Sequence, residues 1–255
     1  MKAMILAAGL GTRLSPLTDD RPKALVTVAG RTLLEIALCR LRAFGVSEVI
    51  INTHHYAEMI LAFLEANSNF GMNIEVSHEE VLLDTGGGLK KAAHFFLDAT
   101  QNFQEPFILH NVDVLSTIDL GRMIRFHVEH DALATLAVQD RATSRSLLFD
   151  RQGWLCGRRT GRDAKAEDGN DEIVRHASPL QPLAFSGIHI LSPRIFAEME
   201  EEGVFSIIPA YLHLAAKGEK IMAFRAEEYY WRDLGRPESL LLAARDLASG
   251  ICSAP

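Results

Sequence analysis

Two glycines and two cations lie close together near the start of the chain. Gly9 and Gly11 belong to the segment LAAGLGTRLSPLT, Arg13 follows in the same segment, and Lys23 comes after DDRP. Glycine lets backbone N–H groups approach an anion without obstruction by a side chain. Arginine offers a planar fork of donors to phosphate oxygens, and lysine offers a mobile positive charge. The segment therefore predicts a phosphate-binding loop.

The glycine spacing alone does not establish this chemistry. The sequence GLG lacks the third glycine of a dinucleotide fingerprint, and no Gly-Lys-Ser/Thr ending of a P-loop follows it. A purely structural turn between a strand and a helix would explain Gly9 and Gly11, but it would not require Arg13 and Lys23. The two cations are therefore the residues that favour phosphate binding.

A repeated alternation of apolar strands and helices is predicted to position this loop. The predicted strands cover 3–6, 48–52, 74–77, 106–114, 132–138, 184–191, 221–224 and 230–233, and the predicted helices cover 32–44, 56–67, 89–97, 120–130, 207–217 and 237–248. Short strands separated by helices indicate a mostly parallel mixed sheet with helices on both faces, an α/β fold in three αβα layers. In such a sheet ligands bind at the carboxyl ends of the strands. We expect the site at 7–13, 52–55 and 111–114.

One stretch departs from this alternation. Residues 157–178 are charged, contain glycine and hold few apolar side chains, so they are predicted to form an exposed excursion. We expect a single domain over 1–255.

Composition limits the class of protein. The chain has 255 residues, 48% of them apolar, and its 26 basic and 33 acidic residues give a net charge of −7, which argues against a nucleic-acid partner. Cys39, Cys156 and Cys252 are widely separated, without metal-ligand spacing or the density of a disulfide-stapled domain. The apolar run after Lys2 is too short for a signal peptide, and no segment reaches membrane-spanning length. We expect a soluble, cytoplasmic protein without a membrane partner.

The opening motif resembles that of a known enzyme family. LAAGLGTRLSPLT followed by PKALVTVAG is similar to the Gly-X-Gly-Thr-Arg…Pro-Lys signature of the sugar-1-phosphate nucleotidyltransferases. The similarity continues through TGGGL at 85–89, NVD at 111–113, FSGIHIL and WRDLGRPESL, and covers nearly the whole chain. Within the family, the chain most resembles the short N-acetylmuramate-1-phosphate uridylyltransferases of cell-wall recycling, followed by mannose- and heptose-1-phosphate guanylyltransferases. The resemblance implies their Rossmann-like fold.

The resemblance also implies a reaction and a set of site residues. The family joins an NTP and a sugar 1-phosphate into an NDP-sugar and releases pyrophosphate. By similarity, Arg13 stabilises the leaving pyrophosphate and Lys23 bridges toward the α-phosphate. Ser186 and Gly187 are expected to face the sugar. The residues expected to bind the nucleotide are Leu6, Ala7, Ala8, Gly9, Gly11, Thr12, Asn52, Thr85, Gly86 and Gly87.

Two aspartates match the positions of the family's metal ligands. Asp113 lies at the end of the predicted strand 106–114, and Asp233 lies in YYWRDLG. Carboxylates are hard oxygen ligands suited to Mg²⁺, which one or two of them hold together with substrate phosphates. Each aspartate alone could merely cap a strand end or a turn, but both in register with the motif favour a Mg²⁺ site. The resemblance divides the chain into a nucleotide-binding part at 1–115 and a sugar-binding part at 116–255.

Three features depart from the family pattern. Val112 stands where relatives usually have glycine, so we expect a branched side chain that narrows the substrate site. The Glu-Lys-Pro element that meets the sugar phosphate in many relatives has no equivalent lysine in 173–186, which leaves the acceptor open. PKAL replaces the commoner PKPL but keeps Lys23 in place.

Several substrates and one different class of function stay open at this point. The first hypothesis is UTP with N-acetylmuramate 1-phosphate or a related hexose phosphate, in a monomer or homodimer. The alternatives are a guanylyl- or cytidylyltransferase acting on mannose, heptose or choline phosphate. A degenerate, nucleotide-binding regulatory homologue is a further possibility, favoured by Val112 and opposed by the retention of both cations and both aspartates.

Overall fold

A computed structural model describes residues 1–97, 105–161 and 170–252 of the chain. Its strands are β1 (Lys2–Leu6), β2 (Thr27–Val28), β3 (Arg31–Thr32), β4 (Glu48–Thr53), β5 (Asn73–His78), β6 (Phe107–Asn111), β7 (Val114–Ser116), β8 (Ala134–Gln139), β9 (Arg145–Phe149), β10 (Leu155–Thr160), β11 (Asn170–Ile173), β12 (Gln181–Leu191), β13 (Ile221–Arg225) and β14 (Trp231–Asp233). Its α-helices are α1 (Leu33–Ala43), α2 (Ala57–Ala66), α3 (Asp84–Lys91), α4 (Ala93–Phe96), α5 (Leu120–Glu129), α6 (Ile195–Glu198), α7 (Ile207–Ala216) and α8 (Pro237–Ala248). No described helix is long and apolar enough to cross a membrane.

The strands form one large mixed sheet and two small ones. Among the described residues, the large sheet has ten strands in the order β11-β10-β9-β12-β6-β1-β4-β5, and β8 pairs with both β12 and β13. The four strands β6, β1, β4 and β5 run parallel, whereas β12 runs antiparallel to β6, β8 and β9. The predicted α/β fold with a mixed sheet is therefore confirmed.

Burial on both faces explains why the short N-terminal strand is apolar. In β1, Ala3, Met4 and Ile5 are all fully buried. Ala3 and Ile5 pack in one apolar cluster and Met4 packs in a second one, as expected for a strand whose side chains alternate between two covered faces. The sheet is thus the middle layer between two cores.

The strand register brings the predicted site residues to one edge of the sheet. Leu6, the last residue of β1, lies opposite Asn52 of β4 and Asn111 of β6. Because parallel strands end at the same edge, the chain segments that follow these three residues lie next to one another. This edge carries the candidate site.

The structure corrects the expectation for residues 157–178. β10 and β11 form an antiparallel pair at the edge of the sheet, whereas residues 162–169 lie outside the described part of the chain. Salt bridges join Arg158 to Glu172 and Arg159 to Asp171, both at 2.6 Å, across this pair. The prediction of an exposed excursion was wrong for the two strands, because charged cross-strand pairs rather than alternating apolar residues stabilise them.

Three buried histidines make the stability of the fold sensitive to acid. Burial lowers the pKa of His110 and of His127 to about 4, and that of His189 to about 3. An unfolded chain protonates these side chains near pH 6.5, so their stabilising contribution is present above that pH and is lost as the pH falls toward 4.

We therefore expect the free energy of unfolding to fall by roughly 2 kcal/mol for each of these histidines between pH 7 and pH 5. Urea titrations at the two pH values measure this loss. His127→Gln should reduce this fall in the free energy of unfolding by about 2 kcal/mol, the contribution of one buried histidine. His94→Gln removes an exposed histidine paired with Glu75 and should not reduce the fall. Equal free energies of unfolding at pH 7 and pH 5 would show that the buried histidines do not control acid stability.

Candidate active site

The loop after β1 begins with buried alanines and continues with an exposed glycine. Ala7 and Ala8 are buried, whereas Gly9 is exposed and has no atom within 4 Å of the place where a Cβ would lie. The loop turns at Gly11, where φ is +69° and a Cβ would lie 2.9 Å from Thr18 Cγ2. Glycine is required there by both backbone angle and space. The predicted loop thus has the open approach that a phosphate needs.

The 3₁₀ turn Thr12–Leu14 carries the first predicted cation. Leu14 is fully buried and anchors the turn, while Thr12 and Arg13 are exposed. The buried Leu14 therefore fixes the backbone that carries Arg13.

Asn52 braces the start of the loop. Its Oδ1 accepts a hydrogen bond from Ala7 N–H at 2.7 Å, and its Nδ2 donates to Glu79 Oε1 at 2.8 Å. The second oxygen of Glu79 accepts from Leu83 N–H at 2.9 Å. Asn52 is only 3% exposed and Glu79 only 1%. The structure therefore places Asn52 in a buried network that positions the loop, with Glu79 as a partner that sequence reasoning missed.

Lys23 and Asp113 meet in a salt bridge at the floor of the site. Their side chains are 13% and 12% exposed, so both charges are largely removed from water. A charge pair in such a place is costly to break from one side only. Lys23 therefore compensates the negative charge of Asp113.

A small antiparallel ladder carries the second aspartate to the first. β14 pairs with β7, with Asp233 opposite Val114, and Leu234 N–H donates to the Asp113 carbonyl at 2.8 Å. The two predicted metal ligands, far apart in the sequence, are thus brought together by backbone hydrogen bonds.

Gly235 lies at the point where the charged groups meet. Its N–H donates to Asp233 Oδ1 at 2.7 Å. A Cβ at Gly235 would lie 2.8 Å from Asp233 Oδ1, 3.0 Å from Arg13 Nη2 and 3.2 Å from Asp113 Oδ2. Arg13 and both aspartates therefore surround a space that any larger residue would fill. The motif WRDLG contained this glycine, but only its aspartate was singled out.

The donor set of this cluster suits a hard divalent cation. Asp113 and Asp233 each bring a carboxylate oxygen to within 3.2 Å of the Cβ position at Gly235. Mg²⁺ is commonly held by one or two carboxylates plus substrate phosphates and water. Across residues 1–97, 105–161 and 170–252, no group of three or more His, Cys, Asp or Glu side chains could hold a metal ion. The two aspartates therefore fit an ion that takes its remaining ligands from substrates.

The glycine-rich segment at the start of α3 is closely packed. The N–H groups of Gly86 and Gly87 both donate to the Phe205 carbonyl, at 2.9 and 3.1 Å. Thr85 Oγ1 accepts a hydrogen bond from Ile207 N–H at 2.9 Å. These two amides and the threonine hydroxyl thus connect α3 to the segment before α7, and the amides are not free for a nucleotide base. Their predicted contact with the nucleotide stays a prediction.

β12 bulges where it passes the cluster. Its pairing with β8 changes register between Phe185 and His189. Gly187 has a φ of +73°, and a Cβ there would lie 2.9 Å from Asn111 Nδ2. Ser186 is fully buried, and its carbonyl accepts a hydrogen bond from Trp231 Nε1 at 2.7 Å. Both residues therefore lie beside the site, and their predicted contact with the sugar stays a prediction.

Val112 belongs to the core and not to the site. It is 4% exposed and packs in the same apolar cluster as Ile5 and Leu14. The expectation that it narrows the substrate site was wrong, because the chain turns after β6 so that the valine contributes to the core while Asp113 meets Lys23.

Val112→Gly should consequently destabilise the protein by about 3 kcal/mol, through the lost apolar contacts and the added backbone freedom. The Michaelis constants should stay close to those of the parent. Urea unfolding together with steady-state kinetics measures both, and Val81→Gly, which alters an exposed valine, is the matched control. If Val112→Gly changed the acceptor preference and kept the parental stability, Val112 would be shown to shape the substrate site.

Comparisons with known proteins show the family and the fold of the chain. The family model described as nucleotidyl transferase matches residues 2–146. The chain is 36% identical over 251 residues to N-acetylmuramate alpha-1-phosphate uridylyltransferase from Caulobacter vibrioides, covering 96% of each. It is 28% identical to mannose-1-phosphate guanylyltransferase from Mycobacterium tuberculosis, covering 99% of this chain and 66% of the relative. The crystal structure of HddC from Yersinia pseudotuberculosis complexed with GMP-PN has the same fold, with a TM-score of 0.71 and 24% identity over 96% of this chain and 99% of that one.

Proposed function

This chain belongs to the nucleotidyl transferase family, and on that premise we propose that it joins UTP and a sugar 1-phosphate into a UDP-sugar and pyrophosphate. N-acetylmuramate 1-phosphate or a related hexose phosphate is the proposed acceptor, in line with the uridylyltransferase from Caulobacter vibrioides. The observation that carries the proposal is the convergence of Arg13, Asp113 and Asp233 around Gly235, with Lys23 paired to Asp113.

The proposed chemistry is a direct displacement at phosphorus. An oxygen of the sugar phosphate attacks the α-phosphorus of the nucleotide, a new P–O bond forms, and the bond to the β-phosphate breaks with its electron pair on pyrophosphate. No covalent enzyme intermediate is needed, so catalysis consists of positioning and neutralisation of charge. The protein groups at this site are those that such a reaction requires.

Each charged residue has a distinct task in this reaction. Lys23 exchanges its contact with Asp113 for the α-phosphate and stabilises the charge that develops there. Arg13, on the exposed side of the loop, holds the β- and γ-phosphates and then the leaving pyrophosphate. The open backbone at Gly9 admits the phosphates, and the Asn52 network keeps the loop in place.

Asp113 and Asp233 would hold Mg²⁺ through their carboxylates. When bound, the ion supplies neutralisation of phosphate charge and orientation of the phosphate oxygens. The presence of an oxygen of each carboxylate near the Cβ position of Gly235 supports this assignment.

The two substrates are proposed to enter from different parts of the chain. The nucleotide lies over the loop after β1, within residues 1–115, and the sugar lies against β12 and β14, within 116–255. We place the reaction in the cytoplasm, in cell-wall recycling, where the uridylyltransferases that the chain resembles act.

A guanylyltransferase acting on mannose or heptose phosphate is the second candidate. It is favoured by the similarity to the mycobacterial mannose-1-phosphate guanylyltransferase. A regulatory homologue without turnover is disfavoured, because both cations and both aspartates are present and brought together.

A panel of substrate pairs tests the proposal. Purified protein is incubated with UTP, GTP, CTP or ATP, with N-acetylmuramate, glucose or mannose 1-phosphate, and with Mg²⁺, and the release of pyrophosphate is followed. We expect the highest kcat/KM with UTP and N-acetylmuramate 1-phosphate. A preference for GTP and mannose 1-phosphate would support the second candidate, and no turnover with any pair would favour the regulatory homologue.

A further inference from the structure

Arg141 is a cation of the C-terminal part that sequence reasoning left aside. It lies between β8 and β9, and its guanidinium stacks on the ring of Trp231 with 3.7 Å between the guanidinium carbon and the ring centre. Trp231 and Asp233 are two residues apart in β14, so their side chains lie on the same face of the strand. The Asp233 carboxylate is near enough to favour the charged form of Arg141, against the burial that lowers its pKa. Arg141 thus lies beside β14, near Asp233 of the charged cluster.

The hydrogen-bonding capacity of Arg141 is largely unused by the protein. Arg141 Nη2 donates to the Phe185 carbonyl at 2.6 Å, while its buried Nε has no acceptor among the residues that the structure describes. Within the same described part, no carboxylate forms a salt bridge with it. A guanidinium that is partly removed from water without a paired anion is costly in a folded protein. This arrangement is therefore suited to an anion that arrives from outside.

Arg232 of β14 is an arginine with a structural role, and its hydrogen-bond partners can be compared with those of Arg141. Its Nε donates to the Tyr230 hydroxyl at 2.8 Å and its Nη2 to Asp246 Oδ2 at 2.7 Å. Arg232 therefore has two hydrogen-bond partners, one of them a carboxylate, whereas among the described residues Arg141 contacts one carbonyl and one aromatic ring. Arg232 is thus paired with a carboxylate of the protein, whereas Arg141 is not paired with one among the residues that the structure describes.

The proposed reaction brings two anions together, the nucleotide and the sugar phosphate. The cations of the loop after β1 are assigned to the nucleotide phosphates only. Arg13 and Lys23 follow the nucleotide-binding loop, so the approach of a second phosphate to the same phosphorus requires positive charge from elsewhere. The lysine that serves many relatives is missing from 173–186. Arg141 borders Asp233 and contacts the β12 bulge through Phe185, on the side where the sugar is placed.

We propose that Arg141 binds the phosphate of the sugar 1-phosphate in place of the missing lysine. This assignment rests on the proposed function. The stack on Trp231 fixes the plane of the guanidinium, and Trp231 itself is held by its hydrogen bond to the Ser186 carbonyl. A planar donor fork fixed in this way matches the oxygens of a phosphate monoester.

Arg141→Gln and Arg141→Ala test the assignment, because glutamine keeps a long polar side chain without the charge. With UTP saturating and N-acetylmuramate 1-phosphate varied, kcat/KM should fall by about 10- to 100-fold in both variants, the loss of one charge-assisted contact. The KM for UTP should stay within about twofold of the parent, since the loop cations are intact. Arg141→Lys should recover part of the loss.

Arg175→Ala is the matched control, because the Arg175 guanidinium also stacks on a tryptophan, with 4.0 Å between its carbon and the ring centre of Trp154. This variant should keep parental kinetics. Titration calorimetry of N-acetylmuramate 1-phosphate, in the presence of a non-hydrolysable UTP analogue, should show the same loss of affinity without turnover. If Arg141→Ala does not fold, Arg141→Gln decides. A folded Arg141→Gln with parental kcat/KM for the sugar phosphate, or with equal losses for both substrates, would overturn the assignment. An inactive parent would instead contradict the proposed function.

Discussion

Lys23→Ala is expected to lower kcat by about 10²-fold or more, since it removes the only proposed contact to the charge that develops on the α-phosphate. Arg13→Ala should cause a loss of similar size by leaving the pyrophosphate without its cation. The two variants should differ in stability. Lys23→Ala leaves the largely buried Asp113 uncompensated and should lower the free energy of unfolding, whereas Arg13 is exposed and its removal should not.

Steady-state kinetics and urea unfolding of both variants measure these effects. Arg21→Ala is the control, because Arg21 lies in the same segment, is paired with the exposed Asp20 and has no proposed contact with the phosphates. It should keep parental kcat. Near-parental turnover in a folded Lys23→Ala or Arg13→Ala protein would contradict the phosphate-binding role of the loop.

Asp113→Asn and Asp233→Asn should each abolish Mg²⁺-dependent turnover. A carboxamide has nearly the same shape as a carboxylate, and in Asp233→Asn its oxygen still accepts the hydrogen bond from Gly235 N–H, but it lacks the negative charge that a hard cation needs. Because both side chains act on one ion, the double variant should be little worse than either single one, as happens for residues that act as a unit.

Loss of the ion is separated from loss of the fold by measuring binding on variants that urea unfolding shows to be folded. Titration calorimetry with Mg²⁺ and a non-hydrolysable UTP analogue should show weaker binding in both variants. Asp150→Asn, which changes an aspartate of the turn between β9 and β10, should bind and react like the parent. Parental turnover in either site variant, or full activity of the parent in EDTA, would rule out the two-aspartate site.

The alternation of apolar segments was sufficient to predict β1, β4 and β6, whose ends carry part of the site. β1, β4 and β6 are short and buried on both faces, and their carboxyl ends then had to meet at one edge. The pair of β10 and β11 escaped prediction because its residues are held by cross-strand charges such as Arg159 and Asp171, which give no apolar period.

The site itself was only partly predictable from the sequence. Arg13 and Lys23 follow a recognisable turn, and Asp113 and Asp233 were found through resemblance to a family. Their meeting depends on the ladder between β7 and β14, a long-range pairing that no local pattern reveals.

Residues that position others were missed for the same reason. Glu79 looks like a surface residue in the sequence EE and is in fact buried against Asn52. Gly235 and Arg141 acquire their roles only through the chain segments that surround them, and Val112 was misplaced because local sequence does not show which side of a turn faces the core.

Release of pyrophosphate in four mixtures tests the central claim most directly. The protein is given UTP with N-acetylmuramate 1-phosphate and Mg²⁺, UTP with Mg²⁺ alone, the sugar phosphate with Mg²⁺ alone, and the complete mixture with excess EDTA. Direct transfer through the cluster around Gly235 predicts pyrophosphate, together with an equal amount of UDP-sugar, in the first mixture only. Stoichiometric pyrophosphate from UTP without the acceptor, or undiminished release in EDTA, would contradict the account.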